Sequence, residues 1–75
     1  MNAAIELNNL IVQRDAQIKN MDHLKLVMGL LEQEIARVGE GSMLARPVIE
    51  ALKYIGQLYD EMYSDLQHLN QLLIQ

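Results

Sequence analysis

The chain has 75 residues, no cysteine and a net charge of −4, from six Lys/Arg against ten Asp/Glu. That length allows one domain, and the lack of sulfur excludes disulfides and thiolate zinc sites. The acidic balance opposes binding to a phosphate backbone, which needs clustered cations. Single cores below roughly 70–80 residues seldom supply more than a few kcal/mol, so association with another chain becomes the expected source of stability.

Hydrophobic residues make up 51% of the chain but aromatic residues only 4%, with three Tyr, no Phe and no Trp. Leu, Ile, Val and five Met provide the bulk, and such aliphatic side chains suit helix packing. The opening MNAAIELNNL has no basic segment and no long apolar run, so no secretory signal is read there. No apolar run approaches the ~20 residues of a membrane span. The expectation is a cytoplasmic protein, in its own cell or in a host, with no membrane partner.

The first element is a helix over about residues 3–38, on a stripe of Leu7, Ile11, Ile18, Met21, Leu24, Met28, Leu31, Ile35 and Val38. Arg14 is the one charged residue on that stripe. The step from Ile18 through Met21 to Leu24 departs from strict alternation of three and four, which predicts a local shift of the seam. Within this helix the run LKLVMGLL, residues 24–31, is apolar around most of its circumference, and a helix lying on one core needs only a stripe. Leu26, Val27 and Leu30 are left over once the stripe is assigned.

The loop is placed at 39–44 by VGEGSMLARP. Arg37 in the last turn and Gly39 after it read as a helix stop. Pro47 is suited to the first turn of the next helix, where its missing N–H costs nothing. The second helix, over about 45–74, carries a cleaner heptad seam: Val48, Leu52, Ile55, Tyr59, Met62, Leu66, Leu69 and Leu73. Ile49, Ala51, Leu58 and Leu72 lie beside that seam and widen it.

Two long helices on a short loop predict an all-α antiparallel hairpin, one domain over residues 1–75. Folding back about the loop sets Lys25 level with Asp60, Glu32 with Lys53 and Gly29 with Gly56. A glycine inside a helix costs about 1 kcal/mol relative to alanine. Two at one level read as a close-approach point, within the hairpin or against another chain. Because a lone hairpin has a single groove, Leu26, Val27 and Leu30 stay uncovered, and pairing of two hairpins into a four-helix bundle is expected.

Chemistry finds little support. Neither Ser42 nor Ser64 has a histidine close in sequence, and His23 and His68 lie at different heights of the hairpin. No catalytic residue, cofactor or metal site is expected, and GEGS lacks the strand–loop–helix setting of a phosphate loop. The segment YDEMYSD, residues 59–65, is the better recognition candidate, since tyrosines beside acids suit a basic partner. The candidate partner-binding residues are Leu26, Val27, Leu30, Tyr54, Leu58, Asp60, Glu61, Tyr63 and Asp65. The sequence therefore points to a small homodimeric, non-catalytic module that captures another protein through helix packing, as a regulator or inhibitor. The alternative is a secretion or assembly co-chaperone shielding a hydrophobic helix of its client.

Overall fold

Asn2 caps the first helix: its side-chain oxygen accepts from the Ala4 N–H at 2.9 Å, satisfying a donor that the first turn leaves without a partner. In the computed structural model, which describes residues 2–74, helix α1 then runs from Ala3–Val38. It ends at Gly39, whose φ of 90° is open to glycine but strained for other residues, and whose N–H donates to the Ile35 carbonyl at 2.8 Å. A 3-10 turn at Met43–Ala45 is capped by Ser42 Oγ, which accepts from the Leu44 N–H at 3.1 Å. Helix α2, Arg46–Ile74, follows without a break, and Pro47 falls in its first turn.

The helices pack against each other as a hairpin 57 Å long and about 16 Å across, and there is no strand among the described residues. On α2 the half-buried positions include every residue of the heptad seam from Val48 to Leu73. On α1 the seam differs from the stripe read in the sequence. Its members, each at least half-buried, are Leu10, Arg14, Gln17, Met21, Leu24, Met28, Leu31, Ile35 and Val38, spaced by threes and fours throughout, and Ile11, Gly29 and Glu34 beside it are half-buried too. There is no shift of the seam. Its two polar members are Arg14 and Gln17, while Leu7 and Ile18 point outward.

The amide of Gln17 explains how a polar side chain holds a seam position. Its Nε2 donates to the Met62 carbonyl at 3.0 Å, across the two helices. That carbonyl sits one turn before Leu66, the residue the heptad register sets opposite Gln17. Carried toward the loop, the same register sets Met21 opposite Met62, Met28 opposite Ile55, and Val38 opposite Ala45. Arg14 turns its guanidinium outward to Asp15 Oδ1 at 3.1 Å, and its stem covers the seam.

Matched height does not bring the paired residues into contact. Lys25 with Asp60 and Glu32 with Lys53 form no ion pair: the ion pairs among the described residues are Arg14–Asp15 and Arg37–Glu34, both inside α1. Matched height alone does not bring side chains together when each sits on the outer flank of its helix. The glycines, likewise, are not close-approach points within the hairpin. A Cβ built on Gly29 or on Gly56 meets nothing within 4 Å.

Both corrections can be measured. Ile18 is 41% exposed and Met21 only 5%. Truncating Ile18 to alanine is expected to cost under about 0.5 kcal/mol in urea unfolding, whereas Met21→Ala is expected to cost about 2–5 kcal/mol. At Gly56, open space leaves helix propensity as the governing effect. Gly56→Ala is expected to stabilise the chain by up to about 1 kcal/mol, a rise of several degrees in Tm.

Candidate interaction surface

An antiparallel helix pair has two flanks. In heptad terms, positions e and b of both helices line one, and positions g and c line the other. The observed seam fixes which residue goes where. Val27 and Leu30 of α1 share the g/c flank with Ala51, Tyr54 and Leu58 of α2, and Leu26 stands at its outer edge. Leu26 is 64% exposed, Leu30 56% and Tyr54 67%, with Val27 also exposed and Leu58 half-buried. Five of the residues singled out in the sequence thus form one apolar face near the middle of the hairpin: Leu26, Val27, Leu30, Tyr54 and Leu58.

The acid–tyrosine segment is not one surface. Glu61 and Asp65 lie on the same flank as the apolar face, displaced toward the open end of the hairpin. Asp60 and Tyr63 lie on the opposite flank, with Gly29 and Gly56. All four of these acid and tyrosine side chains are exposed, and the three acids have no ion-pair partner among the described residues. The last turn of α2 carries no cation.

Ile18, which the sequence assigned to the core, is an exposed member of the second flank, close in height to Tyr63. Counting back in threes and fours from Met21 would have found it, because the count lands on Gln17. Met43, 86% exposed, and Leu44 beside it form an apolar tip at the loop. Near the tip, the hydrogen bonds from Arg37 hold the Glu34 carboxyl below its ordinary range, helped by the arginine's charge, and the same pair raises Arg37. Both groups are exposed, so this pair orders a surface turn of α1 and adds little to stability.

A shallow groove of about 440 Å³ lies between the helices at the open end, lined by Gln13, Gln17, Asn20, Asp65 and His68 among others. It arises where the seam turns polar. No group of three or more His, Asp or Glu side chains is arranged to hold a metal among the described residues, and no helix is long and apolar enough to cross a membrane. No family model, no curated protein and no solved structure matches the chain.

Proposed function

We propose that the chain is a small non-catalytic binding module. In this reading it homodimerises through the Leu26–Leu30–Tyr54–Leu58 face into a four-helix bundle and acts in the cytoplasm as a regulator or inhibitor of another protein. The observation that carries the dimer is surface. The hairpin has an accessible area of 5850 Å², against roughly 4,700 Å² for a folded monomer of its mass. The excess, about 1,100 Å², is comparable to what one partner buries in a stable interface.

With that face covered by a second copy, the opposite flank is left for the partner. There Ile18 and Tyr63 offer apolar area, Asp60 offers charge, and the bare backbones at Gly29 and Gly56 leave room for an incoming helix. The favoured partner is a protein presenting an amphipathic helix with a basic edge. The second reading, a secretion or assembly co-chaperone, draws on the same free apolar face. There the occupant is a hydrophobic client helix instead of a second copy.

Substitutions on the two flanks separate these readings. Leu30→Glu is expected to convert a micromolar dimer into a monomer in the analytical ultracentrifuge. Tyr63→Ala combined with Asp60→Lys is expected to leave the dimer intact and abolish capture of the partner from a native-cell extract. A wild-type chain that sediments as a monomer, and loses its captured client through Leu30→Glu alone, decides for the co-chaperone.

A further inference from the structure

We propose that the second copy lies antiparallel to the first, the tip of each hairpin beside the open end of the other. The two-fold axis then passes through the apolar face between Leu26 and Leu30. The inference rests on the dimer reading above and adds the orientation of the copies.

Both orientations bury the apolar face against itself, so the decision falls to the charges above and below it. On this flank Glu61 and Asp65 lie toward the open end, and from Tyr54 to the end of the chain there is no Lys or Arg to balance them. With tips side by side, Glu61 faces Glu61 and Asp65 faces Asp65 across the axis. Like charges at an interface oppose association. With the copies antiparallel about Leu26–Leu30, Asp65 of one copy stands level with Arg37 of the other. Lys19 then comes level with the same Arg37, and Glu61 with the other copy's Glu34, so single pairs oppose as well as favour this placement. The balance lies in the halves. The open half, through Asp22 and from Asp60 onward, holds six acids against two bases, while the half toward the tip holds four of each. Reversal sets the acidic half beside the balanced one. Glu34 and Arg37 already hold each other by hydrogen bonds within α1, and Asp65 of the neighbour brings a second carboxylate to that arginine.

The apolar ends fit the same placement. Met43 and Leu44 at the tip are strongly exposed, and Val12 and, less so, Leu72 are exposed toward the open end. Reversal about the axis sets the tip of one copy within about a turn of Val12 and Leu72 of the other. Each exposed end then has an apolar counterpart, and symmetry supplies it twice.

Because the chain has no cysteine, one introduced thiol gives one labelled site per copy. Glu40→Cys places it in the exposed loop, away from both flanks. With a nitroxide attached there, electron–electron dipolar spectroscopy of the dimer is expected to read roughly 40 Å between the tips, from about 1.5 Å of rise per residue on either side of the axis. A distance below roughly 25 Å, as for tips on neighbouring helices, overturns the orientation and leaves the dimer standing. A chain that sediments as a monomer overturns both. In a second measurement, Asp65→Arg is expected to weaken dimerisation by about two- to tenfold, and Arg37→Asp in the same chain to restore most of it. Failure of the double variant to recover any affinity contradicts the Asp65–Arg37 juxtaposition.

Discussion

A pair of helices owns one seam. Whatever apolar surface lies off that seam has nothing in its own chain to lean on, and this constraint governs the molecule. Only Met21, Ile35 and Ala45 are buried among the described hydrophobic residues, although half the sequence is apolar. The rest of the seam is half-buried, as expected when two cylinders touch along a line. Lengthening the helices adds seam and uncovered flank in proportion.

The seam also grades along its length. Near the loop it is Val38, Ile35, Leu31 and Met28, and toward the open end it becomes Gln17 and Arg14. A Gln side chain bonded to the facing helix's backbone gives less burial than leucine, but it fixes one height of α1 against α2, because a slip of one layer would break the bond to Met62. The polar layers therefore trade stability for register, and they leave the open groove beside Asp65 and His68. Beyond that end, Ile5 and Leu7 of α1 are exposed.

Much of this architecture was legible in the residues, and the failures share a cause. The α2 seam could be read because apolar type and spacing agree at each step. On α1 they compete: Ile18 satisfies composition, Gln17 satisfies spacing, and spacing wins because a helix's faces are set by its geometry. Gly29 and Gly56 share a height and a flank, yet a Cβ on either meets only open space, because neither lies on the seam itself. Lys25 and Asp60, also off the seam, form no ion pair. The apolar face was visible as a surplus around Leu26–Leu30. Its joining with Tyr54 and Leu58, and its separation from Tyr63 and Asp60, required the seam to be placed first.

If a second chain covers the apolar face of the folded hairpin, as proposed above, stability depends on association. Urea unfolding at two protein concentrations a hundredfold apart tests it most directly, since a dimer's stability includes its concentration while a monomer's does not. For the proposed dimer the midpoint rises with concentration, reflecting about 1.4 kcal/mol per tenfold. A midpoint that stays fixed across that range, with a cooperative transition at both ends, would contradict it.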